Sequence, residues 1–153
     1  MTFTKARHLV IAGVVAAALA YLAARVGYAG MPTLPPLAGV ALLLVAVVEA
    51  VFTASVRPKL QRRPGTEPLE SLTAARAVAL AKASALAGAI MGGLWLGLLG
   101  YVLPISGFVE AAGDDTTAAV IGLFSALALV AAGLWLEHNL RNPDEPEEDD
   151  GEQ

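Results

Sequence analysis

The residues in this sequence that could do chemistry are few, and most are acids and bases set beside long apolar runs. Glu49 is the one carboxylate well inside such a run. Counted back from Ser55 it lies about 9 Å from the nearer end, at 1.5 Å per helical residue. Lys82 opens another run and is its natural partner. Glu137 closes the last run, with His138 beside it and Arg141 one turn on; Arg76 precedes Lys82. An acid at such a depth is costly unless it is protonated, paired or wet, so it is a functional candidate. Three readings of the group Glu49, Arg76, Lys82, Glu137, His138 and Arg141 stay open. It anchors helix ends and forms structural ion pairs, it holds a proton- or ion-linked site, or it docks a partner. Other chemistries fall away. With no Cys, thiolate metal sites and thiol catalysis are excluded. His8 and His138 are too far apart for a shared metal site. No Gly-Lys-Ser/Thr follows the glycine-rich stretch, and no Gly-x-Ser-x-Gly occurs. Ser55, Ser84 and Ser125 are expected to bond to their own backbone. The expectation is a protein that is not an enzyme and uses no cofactor or metal.

These residues sit on elements that composition makes plain. The 153 residues are 56% hydrophobic and 16% charged, where soluble domains carry about 25% charge. The apolar residues form blocks of the length a bilayer requires, about 20 residues. They are too long and too uniform for barrel strands. The expected fold is all-α, an integral membrane four-helix bundle of two transmembrane hairpins. Its helices run over about 8–29, 34–56, 72–103 and 116–138. Gly30, Pro32, Pro35 and Pro36 break the first connection. Pro58, Pro64, Gly65 and Pro68 break the second, and Pro104, Gly107 and Gly113 the third. Thr66 to Glu70 reads as a helix start, so the third helix is expected to begin near Glu67. The two hairpins each end in an acid followed by Arg and Pro, but the spacings differ.

Charge sets the expected orientation. Lys5, Arg7, Arg57, Lys59, Arg62, Arg63, Arg76 and Arg141 all fall on one side, opposed only by Arg25. By the positive-inside rule both termini and the 57–71 connection are cytoplasmic, in a plasma membrane. A second reading of the N-terminus is a signal peptide, whose cleavage would leave three helices. The formal charge of -4 is misleading. Seven acids lie between Asp144 and Glu152, leaving 10 bases against 7 acids before them. The domain is therefore residues 1–142, with 143–153 a disordered acidic tail. The lipid bilayer is the first partner implied; nucleic acid is not one.

Apolar burial does not drive helices together in lipid, so small residues must let them approach. Gly88 and Gly92 repeat at four residues, as do Gly93 and Gly97, and Ala12, Ala16, Ala20 and Ala24 repeat likewise. These stripes pack the helices of one chain, or else a second copy or another membrane protein. Tyr28, Tyr101 and Trp135 fit interfacial belt positions.

The stretch ARAVALAKASALAGAIMGG, which ends at Gly93, resembles the most characteristic segment of an actinobacterial membrane family, domain of unknown function 3180. VEAVFTASVRPKLQRR and WLEHNLRNP are similar to its other recurring pieces, so the resemblance spans roughly residues 5–143. It implies a small multi-pass membrane protein, often encoded near folate-biosynthesis genes, with no established activity. Glu49, Arg57, Arg76, Lys82, Glu137 and Arg141 match its charged positions. Many relatives carry a Cys near 139–140, where this chain has Asn139 and Leu140. The leading functional expectation is an accessory or assembly subunit whose charged helix ends meet a partner. The alternative is a small proton- or ion-linked transporter or channel-like oligomer using Glu49.

Overall fold

The computed structural model describes residues 6–60 and 71–140. Among them there is no strand. Four helices form: α1 (Ala6–Gly27), α2 (Val40–Leu60), α3 (Ser71–Val102) and α4 (Glu110–Asn139). Short 3-10 turns follow α1 at Tyr28–Gly30 and α3 at Leu103–Ile105. All four helices are long and apolar enough to cross a membrane. The expected helix start near Glu67 and the acidic tail lie outside the described residues.

Two helices begin away from where apolarity alone puts them. The second starts at Val40 rather than at residue 34. Pro35 and Pro36 contribute no N–H to a helix, and residues 35–39 instead form turns in which Ala38 N donates to Pro35 O at 2.9 Å and Val40 N to Leu37 O at 3.0 Å. The fourth starts at Glu110, ahead of the apolar block, with that acid in its positive first turn. Asp114 and Asp115, which read as loop residues by composition, are therefore helical.

The helices pack in the spatial order α1, α3, α4, α2. Helices α3 and α4 lie between α1 and α2, which share no packed interface. The main partner of α2 is α4, and α2 meets α3 near its C-terminal end, where Val56 clusters with Ala81 and Leu136. The share of each span that is buried follows the order, 17% for α1 and 22% for α2 on the flanks against 44% for α4 in the middle. Helix directions follow from the contacts. Gly13 meets Gly93 and Ala17 meets Gly97, so α1 and α3 run parallel. Gly39 meets Gly122, and Ala46 clusters with Leu129, so α2 and α4 also run parallel. Trp95 lies on Gly122 and Ala81 on Gly133, so α3 and α4 are antiparallel.

Missing side chains make these contacts close. A methyl on Gly93 would overlap the carbonyl oxygen of Gly13, and one on Gly97 that of Ala17. On another face of α3, a methyl on Gly88 would sit 2.8 Å from Val130 Cγ2 and 3.0 Å from Ala126 O, while at Gly92 the nearest atom is Ala126 Cβ at 3.5 Å. Gly133 answers from α4, where a methyl would sit 2.8 Å from Ala81 O. Thus Gly93 and Gly97 admit α1, and Gly88 and Gly92 face α4.

Because α1 and α2 pack mainly on different helices, α3 and α4 respectively, the chain between them crosses the ends of those two helices. Residues 28–39 form this strap.

The glycine contacts make a paired prediction. Gly97→Ala drives a methyl into the backbone of α1 and should cost about 1–3 kcal/mol, the usual penalty for overpacking. Gly100→Ala, whose nearest atom is Tyr21 Cδ2 at 3.8 Å, should be near neutral. Thermal unfolding of both variants in detergent measures the difference.

Candidate functional site

Two polar sites interrupt the apolar packing, one toward each end. At the end that carries Arg57 and Arg76, hereafter the basic end, the site is built around Glu49 on α2. Its span runs Val40–Arg57, so Glu49 stands eight residues from Arg57. That is about 12 Å along the axis, nearer the middle than the sequence count suggests. Glu49 is 3% exposed, and Thr53 and Ser84 beside it are also buried. The Thr53 hydroxyl donates to the Glu49 backbone carbonyl at 2.8 Å. Both carboxyl oxygens of Glu49 are buried without a hydrogen-bond partner among the described residues. Neither oxygen hydrogen-bonds to Lys82. The Ser84 hydroxyl is turned to the carboxyl but lies outside hydrogen-bond geometry. In this Ser84 differs from Ser55 and Ser125, which bond back to Val51 O and Ile121 O at 2.8 Å.

The register of α2 on α4 sets the rest of the site. Gly39 with Gly122 and Ala46 with Leu129 each differ by 83 in number. Glu49 is thus level with Ala132 and with the bare backbone of Gly133. Glu137, 7% exposed, lies about five residues toward the basic end, roughly 7 Å. Lys82 is half-buried on α3, whereas Arg57, Arg76 and His138 are exposed. The structure therefore divides the sequence-derived group. Its acids face inward, and these three bases face out. Arg141 lies outside the described residues. Between Glu49 and the strap the packing is mostly apolar: Ala46, Leu129 and Ala132, with Leu42 and Ala128 against them, and the buried Ser125 nearby.

The second site was not singled out from the sequence. Asp115, 3% exposed, accepts from the Tyr28 hydroxyl at 2.6 Å and from the Leu34 backbone N–H at 2.8 Å. One α4 carboxylate thus holds both ends of the first half of the strap. Tyr28 is more than an interfacial anchor: its ring also stands edge-on to Tyr101 at 5.3 Å, and Tyr101 to Tyr21 at 6.3 Å. A pocket of about 120 Å³ lies under the strap, lined by Tyr28, Met31, Pro32, Leu34, Leu98 and Asp115. Trp95 is buried against Gly122. Among the described residues no group of three or more His, Cys, Asp or Glu could hold a metal ion.

Removing the carboxylate strands two donors. Asp115→Ala should cost about 1–3 kcal/mol, and Tyr28→Phe, which deletes one donor cleanly, about 0.5–1.5 kcal/mol. Unfolding of the single and double variants tests this; equal effects of the two single variants would argue against a clasp at Asp115.

No curated protein and no solved structure matches this chain. One family does: the sequence model described as "Protein of unknown function (DUF3180)" covers residues 9–144. That match takes in all four helices and both polar sites, and the chain belongs to the DUF3180 family.

Proposed function

We propose that this is a multi-pass protein of the plasma membrane, with both termini and the 57–71 connection in the cytoplasm. It is not an enzyme; it serves as an accessory or assembly subunit that meets a partner at its basic end. The observation behind this reading is how charge is sorted there. Arg57, Arg76 and His138 are exposed, while Glu49 and Glu137 are buried. The end that would face anionic lipid presents cations and withholds its acids. The same face suits an acidic patch on another membrane protein or on a second copy. Charge reversal separates lipid from protein. Arg57→Glu combined with Arg76→Glu should remove a co-purifying partner from crosslinked native membranes while the protein remains inserted. Recovery of no stable companion by the unaltered protein would overturn the proposal.

A second reading has its own observation. The unpartnered carboxyl of Glu49, near the middle of a span, is what a small proton- or ion-linked transporter would need. In proteoliposomes, Glu49→Gln should then abolish proton or solute flux. Flux unchanged by the substitution, or absent from the unaltered protein, removes this reading.

A further inference from the structure

The surroundings of Glu49 are asymmetric, and that asymmetry says more than its burial does. Helices α3 and α4 carry the groups around it. Their nearby ionisable residues are Lys82 and Arg76 on α3, and Glu137 and His138 on α4. Arg76, Glu137 and His138 lie on the basic-end side of Glu49's level, and Lys82 stands at that level, since Gly133 meets Ala81 and Ala85. Thr53, one turn along α2, is on that side too. In the other direction the next carboxylate in register on α4 is Asp115, some 17 residues or about 25 Å away. The intervening interior holds Ala46, Leu129, Ala132 and Leu42, then Trp95, Ala119 and Ala126, with the buried Ser125 hydroxyl among them. A carboxyl buried without a hydrogen bond is far less costly neutral than charged. Exchange of its proton needs titratable groups to carry it, and those near Glu49 lie at its level or toward the basic end; toward the strap the buried Ser125 hydroxyl is bonded back to Ile121 O, and the Trp95 N–H can only donate.

We propose that Glu49 is a proton-binding site loaded solely from the basic end, with Glu137 as the relay between it and the aqueous face. This deepens the second reading above, since it assigns the entry side of the same carboxyl, but it requires no flux. A proton reaching Glu137 passes toward Glu49 across about 7 Å, the axial offset between them, with the hydroxyls of Thr53 and Ser84 at Glu49's end of the gap. The wall of small and apolar side chains beyond Glu49 stops it from going further. The arrangement is half of a transmembrane route, closed at its inner terminus.

Dicyclohexylcarbodiimide, delivered through the lipid, tests this on the full-length protein in uniformly oriented proteoliposomes. The protonated carboxyl adds across a C=N bond of the reagent, its oxygen to carbon and its proton to nitrogen. The acyl group then shifts from oxygen to nitrogen, giving a stable adduct with nothing released. Mass analysis of the peptide holding Glu49 reads the yield. Raising the pH on the basic-end side past the point of ionisation should lower labelling by about tenfold per pH unit. The same change on the opposite side should leave it constant. Glu49→Gln should abolish the adduct. Glu49→Asp, which retains a carboxyl if the Gln variant fails to fold, should keep the sidedness. Glu137→Gln should slow the response to a pH jump without changing its final level. An adduct that responds to pH on the strap side, or to both sides alike, overturns the proposal. So does the absence of any adduct at Glu49 in folded protein at low pH, because the carboxyl is then charged or paired. Sided labelling without flux would remove the transporter reading and leave the proton site standing. Flux dependent on Glu49 with labelling from both sides would do the reverse.

Discussion

In a bilayer two helices gain little by being apolar, because the lipid they displace is apolar too; they gain by touching closely. Helix α3 meets that condition on two faces at once. Gly93 and Gly97 let the backbone of α1 come against it, and Gly88 with Ala81 and Ala85 do the same for α4. A helix that accepts neighbours on both sides takes the middle of the molecule. The helix joined to α1 is then displaced to the far side of α4, and the strap over residues 28–39 becomes necessary. Asp115 gives that crossing a fixed path, taking up a side-chain and a backbone donor that the interior would otherwise leave unsatisfied. The level at which α2 meets α4 follows from Gly39 on Gly122, and it sets Glu49 opposite Gly133 and beside Ser84. The polar sites are thus products of where side chains are missing.

Much of this was visible in the sequence, because the bilayer limits what a long apolar run can be. The four helices and the isolation of Glu49 follow from run length and the position of a single acid. Neighbour order does not. Apolar runs are interchangeable in composition, and small residues recur at four-residue spacing in α1 as in α3, so no count says which stripe meets which. The pairing of Glu49 with Lys82 was inferred from adjacency along the chain; α2 and α3 do meet, at Val56 and Ala81, yet no hydrogen bond joins the two side chains. Asp115 escaped notice for a related reason. Hydropathy starts the fourth helix after it, and Gly113, Asp114 and Asp115 together have the composition of a turn. Its role depends on two donors more than 80 residues away, which no local pattern can express.

The two ends of the molecule use charge in opposite ways. At the strap end a carboxylate is spent on fastening backbone, with tyrosines packed around it. At the basic end cations are displayed, and the acids are turned into a packed interior. One end is closed by its own contacts, and the other offers groups that a membrane surface or another chain can satisfy. The same four helices can therefore be structurally complete on one side and receptive on the other.

The position of α3 and α4 between α1 and α2 also has a consequence for biogenesis. A chain is made from its N-terminus, so α1 and α2 enter the membrane before the helices that will lie between them exist. They have no interface with each other, and Glu49 must pass into lipid with neither Ser84 nor α4 beside it. An acid in that position crosses at the least expense as the neutral form. Until α3 and α4 follow, α1 and α2 lack the helices that each of them packs against. Synthesis halted after α2 would leave a membrane species with no tertiary contact of its own, a natural substrate for quality-control proteolysis.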